Sequence, residues 1–180
     1  MQILAIVGSP SVNGRSLTAV RGLLAGSEEA GASSTVLELA SGPDPEKVQD
    51  AMEVADAVVF ASPTYRARAS ALLKELLEAT QRGLHGETRA PLQGKAAAIV
   101  QTGASAHHFL GLDDLRSVLA GFFAAQVLAP GLYLEQADYV DRDTLRKEAA
   151  ATAAAHGRAL VALAAAVRNS EALTMLRPQV

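Results

Sequence analysis

Apolar positions along the chain fall into two patterns that alternate. The first is a short unbroken run. Ile3–Val7 ends at Gly8, Ala57–Ala61 ends at Ser62-Pro63, and Lys95–Gln101 and Val127–Leu134 repeat the form. Runs of roughly four to eight apolar residues closed by turn formers read as strands buried on both faces. Thr35–Leu39 alternates instead and reads as a further strand. The second pattern has helical spacing. Leu17–Ala30 follows Ser16, a candidate cap, and stops at Gly31. Pro45–Ala55 places proline in a first turn. Ala69–Thr80 sets Leu72, Leu73, Leu76 and Leu77 on one face, with Ser70 placed to cap it. Leu112–Ala124 and the Ala-rich Asp143–Val167 complete the helices, and Gln81–Gly94 is a polar, turn-rich loop.

Strands alternating with helices predict a parallel sheet covered on both faces. Right-handed crossovers then give a three-layer α/β sandwich of five strands, order 2-1-3-4-5. No repeat or composition shift divides the chain. The expectation is a single domain over residues 1–167. The more polar residues 168–180 read as a tail, or as an arm on a neighbouring subunit.

Composition narrows the function classes. Of 180 residues, 49% are hydrophobic and 19% charged, enough apolar material for a core and against disorder. A net charge of −3 with no basic cluster argues against a nucleic-acid partner or an anionic membrane surface. No uninterrupted apolar run reaches the roughly 18 residues of a membrane span. The start, Met-Gln-Ile-Leu-Ala-Ile-Val, lacks a charged leader, so the expected compartment is the cytoplasm. There is no cysteine, which excludes disulfides, thiolate catalysis, cysteine-ligated zinc and iron–sulfur clusters. Redox chemistry on this chain needs a bound cofactor.

In such a sheet ligands bind beyond the carboxyl ends of the strands, at the switch point between strands one and three. Three loops fall there. Gly8-Ser-Pro-Ser-Val-Asn-Gly-Arg-Ser16 joins a strand to a helix; its glycines permit sharp turns, its serines donate, and Arg15 adds a cation suited to phosphate. It matches neither the P-loop nor Gly-x-Gly-x-x-Gly. Its bland alternative is a Ser/Gly turn with a helix cap. The second loop, Ser62-Pro63-Thr64-Tyr65, projects a lone aromatic from the sheet mouth, followed by Arg66 and Arg68. The third, Thr102-Gly103-Ala104-Ser105, leads to His107 and His108. Adjacent histidines share no face of a helix or strand, so this pair reads as ordinary helix-start residues and not as a metal site.

These motifs carry a resemblance. Gly8-Ser9-Pro10 with Arg15-Ser16, then Ser62-Pro63-Thr64-Tyr65 with Ser70 and Leu72-Leu73-Lys74, then Leu92-x-Gly94-Lys95 and Thr102-Gly103, resemble the NAD(P)H-dependent FMN reductases of the flavodoxin-like fold. The likeness spans residues 1–134 and lies nearest the reductases that supply reduced FMN to sulfonate monooxygenases. It implies FMN as cofactor and NADPH or NADH as co-substrate. The implied acceptor is a free flavin or quinone, and the implied protein partner a flavin-dependent monooxygenase. It also implies a homodimer or homotetramer. By the same resemblance Ser9, Arg15 and Ser16 hold the phosphate. Pro63, Thr64 and Tyr65 line the ring and ribityl chain, and Thr102, Gly103 and Ala104 approach the pyrimidine edge. The helix Leu112–Ala124 is one residue shorter than in that branch and lacks its inserted Tyr. An inserted residue makes a π-bulge, so a regular helix is expected here, and with it a reductase that keeps its FMN.

Several flavodoxin-like readings are excluded by residues alone. Gly8-Ser9 and Ser62 stand where a response regulator needs acids, and no nucleophile elbow is present. A non-enzymatic electron carrier of the flavodoxin type is the alternative; the near-neutral charge and Arg15 favour the enzyme.

Overall fold

The structure, a computed structural model, describes residues 1–178. Residues 179 and 180 of the expected tail lie outside the described residues. The elements follow in the order β1 (Gln2–Val7), α1 (Arg15–Glu29), β2 (Ser33–Glu38), α2 (Pro45–Val54), β3 (Ala57–Pro63), α3 (Ala71–Ala79) and β4 (Ala96–Gly103). Then come α4 (Leu112–Ser117), β5 (Gln126–Val127), β6 (Leu132–Glu135), α5 (Lys147–Arg168) and the short α6 (Glu171–Thr174). All strand pairs are parallel, in the order β2-β1-β3-β4, with β5 and β6 both beside β4. The expected flavodoxin-like order is therefore observed.

Alternation along the strands divides the core. Ile3, Ala5 and Val7 face α1 and α5; Leu4 and Ile6 face α2, α3 and α4. Each strand is apolar on both sides because each side carries a helical layer. Asp44 accepts the Glu46 N–H at 3.1 Å to start α2, and Ser70 accepts the Leu73 N–H at 3.2 Å to start α3. Lys95 closes the far end of α2, donating to the carbonyls of Met52, Glu53 and Ala55. Burial lowers the pKa of that ammonium.

Three expectations are corrected. Ser16 does not cap α1: Gly14 holds the cap position, and the Ser16 hydroxyl pairs with Thr102 Oγ1 at 2.9 Å. The fifth strand is split into β5 and β6, because Pro130 lies between them and has no N–H for the ladder. The helix after the third loop is not regular. Beyond α4 the chain widens into a π turn over Val118–Phe122. Ala124 takes a left-handed φ of 53°, and the Ala125 N–H reaches back to the Leu119 carbonyl at 3.1 Å. That closure spans one residue more than a Schellman cap and so absorbs an extra residue. Ala120-Gly121 weakens the regular ladder at that point.

Helix α5 is, by length and composition alone, apolar enough to cross a membrane. Its apolar face packs on α1 and the sheet instead, burying Ala149, Ala153, Leu160 and Ala164. Helix α6 folds back toward the β4 side, so close that a Cβ on Gly94 would stand 2.8 Å from the Thr174 main chain.

Candidate functional site

The three loops do converge at the carboxyl ends of β1, β3 and β4, and buried hydroxyls and backbone groups tie them together. The Gly8 N–H donates to the Ala61 carbonyl at 2.7 Å, joining the first loop to β3. Ser70 Oγ donates to the Gly8 carbonyl, and the Ser70 N–H donates to Ser62 Oγ at 2.8 Å. The Thr64 N–H donates to the Thr102 carbonyl at 2.7 Å, joining the second loop to β4. The Ser16–Thr102 hydroxyl pair joins the first loop to the third. Serine and threonine at these strand ends thus satisfy buried backbone groups that no ladder reaches.

The first loop is shaped for an anion. Ser9 is buried, and its hydroxyl accepts the Ser11 N–H at 3.2 Å. The sharp turn falls on Asn13, at φ 53°, and not on Gly14, whose φ is −89°. The amides of Arg15 and Ser16, in the first turn of α1, have no intrahelical partner. Helices α2, α4 and α5 carry an acid in the first turn; α1 carries none, and has Arg15 there. A cation at a helix N-terminus opposes the dipole, so its placement suits a bound anion. Arg15 has no carboxylate partner among the described residues. Its guanidinium lies 5.6 Å over the Tyr139 ring, and Tyr139 donates to the Arg15 carbonyl at 3.1 Å. Burial raises the Tyr139 phenol pKa well above its usual range, against the opposing charge of Arg15, so the hydroxyl remains a donor.

In the second loop Tyr65 and Arg68 bond to each other at 2.9 and 3.0 Å, around Arg66 and Ala67 with φ of 52° and 63°. Two positive φ values are the mark of a type I′ turn, here made without glycine. The hairpin leaves Tyr65 half exposed, at 52%, as the sequence suggested. Arg68 pairs with Asp114 at 3.2 Å on the surface. Pro63 and Thr64 are partly buried, and the buried Thr64 Oγ1 has no partner among the described residues.

The third loop rests on a residue that the sequence pattern does not reveal. Tyr133, on β6, donates to the Ser105 carbonyl at 2.8 Å. Its hydroxyl would stand 1.9 Å from any Cβ at position 103. Gly103 therefore makes room for Tyr133, where the sequence suggested room for a ligand. Ala104 lies between these two anchored positions. His107 Nδ1 pairs with Ser105 Oγ at 3.2 Å. Tyr133 sits in an ordinary apolar strand and Tyr139 in a polar loop, so neither carried a sequence signal.

The residues fit FMN. The first loop combines unpaired first-turn amides with a lone cation, the second presents an exposed ring, and the buried Thr64 hydroxyl is unspent. A cavity of about 630 Å³ lies to the side, between α3 and the π turn, where Leu77, Leu115, Val118 and Phe122 line it.

Comparison with known proteins agrees with this geometry. Residues 1–139 match the family described as NADPH-dependent FMN reductase. An NADH-dependent FMN reductase, SfnF, of Pseudomonas fluorescens (strain Pf0-1) is 34% identical over 91 residues, 51% of this chain. The match spans less than half of that relative, 45% of its length. Among solved structures, an apo NADH:FMN oxidoreductase (EMOB) superposes with TM-score 0.77 at 23% identity, covering 97% of this chain and 94% of its own. An archaeal flavodoxin gives TM-score 0.66 at 13% identity, covering 92% and 99%. At such identities the likeness is one of fold. The family match covers most of the chain, including all three loops, and this protein belongs to the NADPH-dependent FMN reductase family.

Proposed function

We propose that the protein is a flavin reductase that passes hydride from NADPH or NADH, by way of FMN, to a free flavin or quinone. The observation that carries this reading is Arg15, a cation without a carboxylate partner among the described residues, set at the one long loop-to-helix junction of the switch point. The first-turn amides with Ser9, Arg15 and Ser16 would hold the phosphate, Ser16 through its main chain, since its hydroxyl is spent on Thr102. Pro63, Thr64 and Tyr65 would flank the ring and ribityl chain. Thr102, Gly103 and Ala104 would meet the pyrimidine edge, with Tyr133 fixing the backbone there. FMN, when bound, supplies the hydride chemistry; the protein supplies placement and electrostatics. No acid–base dyad is needed.

The discriminating experiment is whether purified protein with FMN oxidises NAD(P)H without a protein partner. Consumption supports the reductase; its absence returns the chain to an electron carrier. Flavin bands at near-stoichiometric amounts in the purified protein would mark FMN as retained. The π turn removes the sequence ground offered for retention, a regular helix, so the spectrum decides it.

Turnover should follow ping-pong kinetics. The sequence carries no second nucleotide-binding motif, and Tyr65 stands at a single open mouth. Two ligands taking one place in turn give parallel double-reciprocal lines; intersecting lines would sink the single-site scheme.

We further propose a homodimer or homotetramer. Phe109, Leu110 and Phe122 are 55%, 63% and 48% exposed beside the site and the side cavity, and large apolar side chains grouped on one surface favour association. A monomeric mass by light scattering at micromolar protein would overturn this. A flavin-dependent monooxygenase as the consumer of reduced flavin rests on the family resemblance.

A further inference from the structure

Two side chains of opposite charge grip the first loop from outside. Arg142 lies in the segment between β6 and α5. Its Nε donates to the Asn13 carbonyl at 2.7 Å, and a terminal nitrogen donates to the Val12 carbonyl at 2.9 Å. Glu38, the last residue of β2, accepts the Asn13 N–H on its two carboxylate oxygens, at 2.9 and 3.1 Å. A trans peptide points its C=O and N–H in opposite directions. The Val12–Asn13 peptide is therefore clasped at both ends, its carbonyl by Arg142 and its amide by Glu38. The next peptide is held by its carbonyl alone, so the Gly14 N–H points away from Arg142. The clasp is anchored to α1, because the Arg142 carbonyl accepts the Thr18 hydroxyl at 2.9 Å. Asn13 meanwhile keeps a left-handed φ of 53°, a conformation that a non-glycine residue holds only where its surroundings enforce it.

We propose that Arg142, with Glu38 opposite it, is a positioning residue that presets the loop for a phosphate and so makes the site select FMN over riboflavin. The inference rests on reading Gly8–Ser16 as the phosphate loop. Arg142 acts through the backbone and touches no ligand. A guanidinium fork on two adjacent carbonyls fixes the direction of both peptides, which the point charge of lysine cannot do. Released from the fork, the loop must give up backbone freedom when it binds, and that cost falls on phosphate affinity. Riboflavin has the same ring and ribityl chain without the phosphate, so its affinity does not depend on the clasp.

The test titrates the full chain with FMN and with riboflavin at matched ionic strength, followed by flavin fluorescence. It compares wild type with Arg142→Leu, Arg142→Lys and Glu38→Ala. Arg142→Leu should lose roughly tenfold in FMN affinity and stay within about twofold for riboflavin, the pattern of lost preorganisation confined to the phosphate. Arg142→Lys should not restore the FMN preference, and Glu38→Ala should shift it in the same direction. An unchanged preference in Arg142→Leu would overturn the inference. Equal losses for both flavins would overturn it too, making Arg142 a purely structural brace. A wild type that binds riboflavin as tightly as FMN would instead refute the phosphate-loop reading beneath it. Should Arg142→Leu not fold, Glu38→Ala takes its place: a loss confined to FMN supports the clasp, and an unchanged preference or equal losses overturn it.

Discussion

Replacing Gly157 by valine should destabilise the fold by about 3 kcal/mol, the upper end for overpacking a tight contact, and lower the melting temperature by roughly 6–12 °C for a chain of this size. Helices α1 and α5 cross with their backbones in contact. A Cβ at Gly157 would stand 1.9 Å from the Leu23 carbonyl oxygen and 2.7 Å from the Ser27 nitrogen. On the other side, a Cβ at Gly26 would stand 1.9 Å from the Ala154 carbonyl oxygen. These neighbours are main-chain atoms, so no side chain can rotate out of the way; the helices themselves must part. Parting them also breaks the Ser27 hydroxyl's bond to the Gly157 carbonyl, at 3.2 Å. The damage reaches the site, because α1 begins at Arg15. A thermal melt checks this, and a shift under about 2 °C would mean that the helices slide at little cost.

Arg15→Ala should leave the fold intact and weaken FMN about ten- to a hundredfold, the equivalent of roughly 1.5–3 kcal/mol for a charge-assisted contact. The side chain is exposed and forms no ion pair among the described residues, so little packing is lost with it. Removing a cation from the start of α1 also relieves an unfavourable dipole contact. Stability should therefore hold or rise slightly while affinity falls. That opposition separates a binding residue from a structural one. Equal FMN affinity for variant and wild type at matched ionic strength would take Arg15 out of the phosphate site.

The parts of the site that were legible in advance share a physical cause. Gly8-Ser9-Pro10 and Ser62-Pro63-Thr64-Tyr65 interrupt apolar runs abruptly, and in a parallel sheet such interruptions fall where strands leave the core. The convergence of Thr102 with Ser16 and Thr64 followed from strand order, since β1, β3 and β4 are neighbours. Ser70 as a cap needed only local spacing. Arg142, Glu38 and Tyr133 were not legible. Each acts on backbone atoms far along the chain: Arg142 lies 129 residues from Asn13, and Tyr133 28 residues from Ser105. A carbonyl is the same acceptor in every residue, so such a contact leaves no mark on its partner's identity.

The sequence by itself determined the layer architecture, the strand order and the three loops. Apolar runs, helical spacing and turn residues are local properties, and handedness leaves few ways to assemble them. Tertiary structure alone decided what particular residues are for. Ser16 could cap its helix or pair across the sheet, and the nearness of Thr102 chose the second. Gly103 could admit a ligand or a neighbour, and Tyr133 took the space. The helix after β4 could run straight or widen. The need to bury both Leu119 and Phe123 and still deliver Gln126 opposite Ala96 accompanies the π turn. In each case local energies differ by little, and packing against a distant segment is large enough to choose between them.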